Sequence, residues 1–262
     1  MNGRLEGQVA IVTGAGRGIG RAIALAYGRE GAHVVVASRT PATVASVVEE
    51  IIAAGGSAHG IVCDVGQRAQ IDAMVAETVA TYGTVDILVN NAQSFGTAAE
   101  PQGSPGHIAL EDFPDDVWDH TMTTGLKATL WGMQAVFPIM KAKRYGKVVN
   151  MGSGNGIGGM KGSAAYNATK EAIRALSRTA AAEWGKHGIA VNVIIPNMAT
   201  DSAKDFFAAR PGIEQKLAAA IPMRRFGSED DVAPVAVFLA SHDADYVTGQ
   251  AIHADGGQIL RP

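Results

Sequence analysis

Val9-Ala10-Ile11-Val12-Thr13, followed at once by Gly14-Ala15-Gly16-Arg17-Gly18-Ile19-Gly20, is the stretch that decides the fold. The first five residues form a short apolar run rich in branched side chains, which favours a buried strand over a helix. A glycine-rich turn comes next, and apolar residues at helical spacing begin at Gly20. Strand, glycine turn and helix in that order make a phosphate-binding corner. Glycine lets the backbone approach an anion, and the free N–H groups at the helix start point toward it. The spacing is Gly14-x-x-x-Gly18-x-Gly20, not the commoner G-x-G-x-x-G, and no Gly-Lys-Ser/Thr follows as a Walker loop would require. A tight strand–helix turn with no ligand would also use glycines. The position directly after the first strand is what favours the nucleotide reading.

The same rhythm continues outward. Ala32–Ala37, Ala58–Cys63, Ile87–Asn90, Gly146–Met151, Ala190–Ile195 and a last run near Gln250–His253 read as further buried strands. Between the strands, Gly20–Glu30, Thr40–Ala54, Arg68–Tyr82, Asp116–Ala142, Ser163–Lys186 and Glu229–Ala240 read as helices. Alternation of strand and helix implies parallel strands joined by right-handed crossovers. The strand runs are apolar throughout, so both faces of the sheet should be covered. The expectation is an α/β protein: a single doubly wound Rossmann domain over residues 1–262, with a parallel seven-stranded sheet and helices on both faces. Residues about 1–150 would form the cofactor half, and about 151–262 the catalytic and substrate half. Ser94–Pro114 and Asn197–Arg225 break the rhythm with glycine and proline but no period, as lids and binding loops do.

Composition excludes several classes. The formal net charge is −3 with no basic stripe, which argues against nucleic acid as a partner. Cys63 is the lone cysteine, so an intrachain disulfide framework and a four-cysteine zinc site are both ruled out. No His-Glu-x-x-His occurs and no metal is expected; His107, His120 and His187 are scattered and read as surface or packing residues. No apolar stretch approaches the ~20 residues needed to span a bilayer. Met1 to Gln8 lacks the apolar middle of a signal peptide. A cytoplasmic protein without membrane partners is expected.

Cofactor choice falls at the end of the second strand, Val36-Ala37-Ser38-Arg39. An NAD site places a carboxylate there for the ribose 2′-hydroxyl. Here Ser38 offers a hydroxyl and Arg39 a planar cation, and Arg17 can reach the same region from the glycine turn. Two cations and no acid favour NADP(H). The bland alternative for Arg39 is a solvated loop cation.

Tyr166-Asn167-Ala168-Thr169-Lys170 puts Tyr and Lys on one helix face, about one turn apart. A nearby Lys charge favours tyrosinate and is expected to lower the Tyr pKa from ~10. A phenol tuned this way can exchange a proton with a carbonyl or alcohol oxygen. Alone, such a pair is as readily an idle surface contact. Ser153 changes the balance, because it follows the fifth strand at its C-terminal end, where open α/β sheets hold ligands. Asn155 and Lys161 lie between Ser153 and Tyr166 and could touch a substrate. Trp118 and Trp131 read as core, and Ser228-Glu229-Asp230-Asp231 as a helix cap.

With these motifs in place, the chain resembles the short-chain dehydrogenase/reductase family from Gly7 to about Gly257. In order they are Thr13–Gly20, Asp64-Val65, Asn90-Asn91-Ala92, Ser153, Tyr166–Lys170, Tyr246–Gln250 and Asp255-Gly256-Gly257. The resemblance implies that Gly14, Arg17, Gly18, Ile19, Gly20, Ser38, Arg39, Asp64, Val65, Asn91, Ala92 and Pro196 hold NADP(H). It implies that Lys170 also holds the nicotinamide ribose, and that Tyr166 is the acid/base beside Ser153 and Lys170. The substrate would be a small-molecule carbonyl or alcohol: a ketone, an aldehyde or a 3-oxoacyl compound. A homotetramer or homodimer is implied as well.

Three departures stand out. Gln93 replaces the Gly of Asn-Asn-Ala-Gly, Asn197 replaces the Gly of a Pro-Gly pair, and Gly125 takes the place of the family's helical Asn. These keep open a second reading, an NADP(H)-binding regulator with little turnover. At Gly125 the expectations are a local kink, an open space able to admit a water beside its carbonyl, and tolerance of Asn.

Overall fold

The computed structural model describes residues 3–104, 106–198, 208 and 212–260. Strands β1 (Val9–Thr13), β2 (His33–Ser38), β3 (Ser57–Val62) and β4 (Ile87–Asn90) alternate with helices α1 (Gly18–Arg29), α2 (Pro41–Ala53) and α3 (Arg68–Tyr82). After β4 the chain forms a small hairpin of Phe95–Gly96 with Pro101–Gln102, a 3-10 turn at Leu110–Asp112, and helix α4 (Asp115–Met122). Then come α5 (Ala128–Lys143), β5 (Gly146–Met151), a short α6 (Gly154–Gly158), α7 (Ala164–Trp184), β6 (Ile189–Pro196), α8 (Ile213–Ala218), α9 (Glu229–Ala240) and β7 (Ala251–Ala254).

The seven strands pair in the order β3-β2-β1-β4-β5-β6-β7, all parallel. The order reverses between β1 and β4, and a crevice opens there at the C-terminal edge of the sheet. The apolar runs are buried on both faces, as their lack of alternation predicts. One face packs Ile23 and Tyr27 of α1, Val47 and Ile51 of α2, and Val237 of α9. Tyr27 is fully buried and donates its hydroxyl to the Ala236 carbonyl at 3.1 Å, so α1 and α9 are held together by a satisfied polar contact inside the core. The other face packs Met74 of α3, Met133 and Val136 of α5, and Ala180 of α7, with Trp131 partly buried against it. Cys63 is buried, and desolvation with Asp64 beside it pushes its thiol up to about 11.

Two expectations change. Asp116–Ala142 is helical throughout but not uniformly α: a π turn at Thr123–Lys127, with Gly125 at its centre, joins α4 to α5. Glycine there tolerates the widened backbone because it has no Cβ to crowd the turn. The segment Ser94–Pro114 is not irregular throughout, since it carries the hairpin and the 3-10 turn. Of the second long segment, residues 199–207 and 209–211 lie outside the described residues. At α9, Ser228 and Asp231 form a reciprocal capping box, as its acidic start suggested.

Candidate active site

The glycine turn is shaped for close approach. Gly14 has φ +65°, and a Cβ there would lie 2.9 Å from Ala92 Cα. A Cβ at Gly20 would collide with the Gly14 carbonyl and would sit 2.5 Å from Asn91 Nδ2. Asn91 fastens the end of β4 to this turn: its Nδ2 donates to Thr13 O at 2.9 Å and to Gly14 O at 3.3 Å. Thr13 Oγ1 accepts the N–H groups of Asn91 and Ala92. Helix α1 begins at Gly18 with no side-chain cap and no acidic residue in its first turn. Its leading N–H groups and positive dipole end therefore face the crevice free to meet an anion. The turn fits a dinucleotide pyrophosphate on these grounds, with Ile19 partly buried against the core beneath it.

At the end of β2, Ser38 and Arg39 stand beside the turn. A Cβ on Gly16 would lie 3.2 Å from Ser38 Oγ and against the hydroxyl of Thr43, so two hydroxyls border it. Arg39 is exposed, and its Nη2 reaches Ser94 Oγ at 3.4 Å. Arg17 meets the loop after β4, where a Cβ on Gly103 would lie 2.8 Å from its Nη2. His120, read from the sequence as a scattered histidine, lies in the field of both Arg39 and Asp64. Burial, then Arg39, lower its pKa, and its Nε2 is buried without a protein partner. Thr43 and His120 had no sequence signal beyond residue type, because their place beside the crevice depends on helix packing. Asp64 accepts the Gly66 N–H at 3.0 Å and its own N–H donates to Gln70, while Val65 is buried beside them. Pro196 ends β6 in register with Ala254.

Ser153, Tyr166 and Lys170 converge at the ends of β5 and α7. Ser153 Oγ accepts the Asn155 N–H at 3.2 Å, and its hydroxyl lies close enough to Tyr166 to act on the phenol's pKa. Lys170 is 4% exposed. Its Nζ donates to the Met151 carbonyl at 3.0 Å and lies 5.5 Å from the Tyr166 ring centre. Burial pushes its pKa down to about 8. The expected fall in the Tyr166 pKa does not occur in the protein alone. Desolvation dominates and raises it, with the Ser153 hydrogen bond acting in the opposite direction. Both members of the pair are thus displaced toward their neutral forms by burial. Such a phenol stays protonated at neutral pH, ready to donate, beside an amine whose charge is easily lost.

The loop after β4 covers this centre. Phe95 packs edge-on against Tyr166 with ring centres 5.3 Å apart. Farther along, Ile108 N–H bonds the Gly162 carbonyl at 3.0 Å, and His107 sits where a Cβ on Gly162 would fall. No sequence pattern marked Phe95 or His107 for this position. Lys161 is exposed, Asn155 is half-buried, and His187 packs edge-on against Phe137 away from the crevice.

The departures have definite places. Asn197 donates its N–H to Ala254 and accepts from Gly227, tying the end of β6 to the entry of α9. At Gly125 there is no open space: a Cβ would collide with Gln93 Oε1 and with Thr169 Cγ2. The Gly125 carbonyl is also occupied, receiving Thr129 Oγ1 at 2.8 Å and the Ala128 N–H. The expectation that this carbonyl and an empty space hold a water, and that Asn fits, is overturned. Steric filling by a residue distant in sequence is the reason.

Comparison with known proteins adds independent findings. A family model described as enoyl-(acyl carrier protein) reductase matches residues 14–258. The chain is 36% identical over 252 residues to the 3-oxoacyl-[acyl-carrier-protein] reductase FabG of Staphylococcus aureus, covering 96% of this chain and 98% of that protein. It is 36% identical over 268 residues to a 12alpha-hydroxysteroid dehydrogenase of a Clostridium species, covering 99% and 100%. A crystal structure from Beutenbergia cavernae, described as an NAD(P)-dependent gluconate 5-dehydrogenase with NADP bound at low occupancy, superposes with a TM-score of 0.87. The two chains share 35% identity, with 98% of each covered.

Proposed function

The chain belongs to the short-chain dehydrogenase/reductase family of oxidoreductases, and within it we propose an NADP(H)-dependent reductase of ketones, aldehydes or 3-oxoacyl compounds that works through Tyr166. The observation that carries this reading is the convergence of Ser153, Tyr166 and a buried Lys170 at the C-terminal edge of the sheet. Residues about 1–150 and 151–262 act as the cofactor and catalytic halves of one domain. The glycine turn and the uncapped start of α1 receive the pyrophosphate, and Asp64, Val65, Asn91, Ala92 and Pro196 border the rest of the dinucleotide. When bound, the nicotinamide supplies or accepts the hydride. Ser153 orients the substrate oxygen with its hydroxyl, which stands beside Tyr166 just past the end of β5. Tyr166 donates its proton to that oxygen, and the Lys170 ammonium stabilises the tyrosinate left behind. Phe95 excludes water from the pair.

Turnover of NADPH over a panel of carbonyls tests the reading; silence on every carbonyl would favour the regulator alternative. That alternative rested on the departures at 93, 125 and 197, and the presence of Ser153, Tyr166 and a buried Lys170 together is what favours turnover over it. Among the described residues no helix is long and apolar enough to cross a membrane. A cytoplasmic homotetramer or homodimer completes the proposal, and light scattering of the purified protein checks the assembly.

Preference for NADPH rests on Arg39 and Ser38, with Thr43 beside them and Arg17 swinging from Gly103 when a 2′-phosphate is present. A charge-assisted contact contributes roughly 1.5–3 kcal/mol. Arg39→Ala is therefore expected to weaken NADPH by about 10- to 100-fold, and NADH little. Fluorescence titration of both cofactors reads this directly, and equal losses would reject the role. The loop Ser94–Pro114 borders the site and carries glycine and proline without a regular period, so it should open without ligand. Its amides are expected to gain hydrogen-exchange protection when cofactor and substrate are both present. Unchanged protection would argue that it is a fixed wall.

A further inference from the structure

Ser153 stands between two glycines, and aliphatic side chains from distant parts of the chain fill the space that each leaves. A Cβ on Gly152 would lie 2.9 Å from Val193 Cγ1 and 3.0 Å from Ile195 Cγ1. A Cβ on Gly154 would lie 3.0 Å from Ile259 Cδ1 and, apart from its chain neighbours, would meet no other described atom within 4 Å. That side of Gly154 is open, and Ile259 stands over it. Val193 and Ile195 are buried, and so is Phe95, which packs on Tyr166. Ile259 is half-buried and keeps surface free for a ligand. The segment after β7 that carries it is held firmly. Asp255 is 5% exposed, and its two carboxylate oxygens accept the Gly257 and Ile259 N–H groups, each at 2.9 Å. Gly256 and Gly257 lie between them with φ +63° and +84°, the left-handed region that glycine enters freely. Pro222 backs this turn, its Cγ 3.1 Å from where a Cβ on Gly257 would be. The chain is thereby sent back toward α6, with the Ile259 side chain laid beside Ser153.

We propose that Ile259 is a specificity-determining residue that forms an apolar wall of the substrate cleft, and that the substrate is a carbonyl compound carrying an extended hydrocarbon substituent. This rests on the reading of Ser153 and Tyr166 as the groups that receive the substrate oxygen. A carbonyl held by Ser153 projects one substituent across the open side of Gly154 and against Ile259. A methylene placed there leaves water for a hydrocarbon surface and gains free energy. A hydroxyl or a charge placed there gives up water with no partner in exchange. Among the described residues, Lys170 is the cation that meets the Tyr166 ring, and its ammonium is already engaged by the Met151 carbonyl. Lys161, the other cation between β5 and α7, is exposed. The absence of a side chain at 154 is part of the same device, because Ala there would push Ile259 Cδ1 out of the cleft wall.

The test uses straight-chain methyl ketones of rising length, starting from butanone, with dihydroxyacetone as the polar member. Each is reduced with NADPH by wild type, Ile259→Val and Ile259→Ala. Wild-type kcat/KM is expected to rise about two- to fourfold for each methylene added until the wall is covered. Ile259→Ala should flatten that rise, lowering kcat/KM for the longest ketone at least about tenfold while butanone and dihydroxyacetone stay within about threefold. Ile259→Val removes a single methyl and should lower the slope partway, which decides the matter if the Ala variant is unstable. The same ketones are titrated into the NADPH complexes of Tyr166→Phe and Tyr166→Phe/Ile259→Ala, where quenching of nicotinamide fluorescence reads affinity without turnover. Affinity should rise with chain length in the first and stay flat in the second. A wild type indifferent to chain length, or an Ile259→Ala variant that weakens butanone and dihydroxyacetone as much as the longest ketone, would overturn the proposal. The two levels fail separately. Turnover that persists in Tyr166→Phe removes the acid/base assignment; a silent Tyr166→Phe whose binding ignores chain length removes only the wall.

Discussion

Tyr166→Phe is expected to lose roughly 10²- to 10⁴-fold in kcat, the range that a positioned general acid supplies. Phe keeps the ring, so the edge contact with Phe95 at 5.3 Å persists and the packing around the site is preserved. What disappears is the hydroxyl that stands beside Ser153 and carries the transferable proton. Cofactor affinity should be nearly unchanged, because the phenol oxygen points to the substrate side in the proposed arrangement. Stopped-flow reduction under saturating NADPH reads the chemical step, and equilibrium titration reads binding. Substantial turnover in the Phe variant would require a different acid, and no other phenol is placed beside Ser153 among the described contacts.

Lys170→Ala is expected to produce the second large loss, and of a different kind. Its ammonium is assigned two tasks, stabilising tyrosinate and holding the nicotinamide ribose. Both kcat and NADPH affinity should fall, the latter by roughly 10- to 100-fold for a lost charge-assisted contact. Lys170→Met, which fills more of the space, separates lost charge from lost packing. The wild type should show the same dependence through pH. Burial depresses the Lys170 pKa to about 8. The charged form is the active one and exists below that value, so kcat for reduction is expected to fall as pH rises through about 8. Tyr166 is displaced upward by burial and remains protonated through that window, so the loss reports the amine. The two groups are close enough to titrate together, and the profile belongs to the pair. A flat profile from pH 7 to well above ~8 would remove the amine from the chemical step.

Sequence alone determined the architecture. The apolar runs at β1, β4, β5 and β6 could be read because strands buried on both faces carry little polar alternation. The bounds of β1, α3, β4, β5 and α9 are as the sequence suggested. The glycine turn and the positions of Ser153, Tyr166 and Lys170 were legible for a related reason. Their chemistry is local: a strand end, a turn that excludes Cβ atoms, and two side chains one helical turn apart. Tertiary structure alone decided the rest. The contact of the Arg17 guanidinium with Gly103 depends on how the loop after β4 folds back over the glycine turn, which no local pattern records. The pKa of Tyr166 rises instead of falling, because desolvation depends on what packs around the pair and outweighs the neighbouring charge. Gly125 and Gln93 are 32 residues apart, and each alone looked like a lost feature. Only the packing of the loop after β4 against the π turn shows that one fills the space of the other. Periodicity records which face of an element is buried; it carries no information on which distant side chain will occupy a gap the size of a single amide.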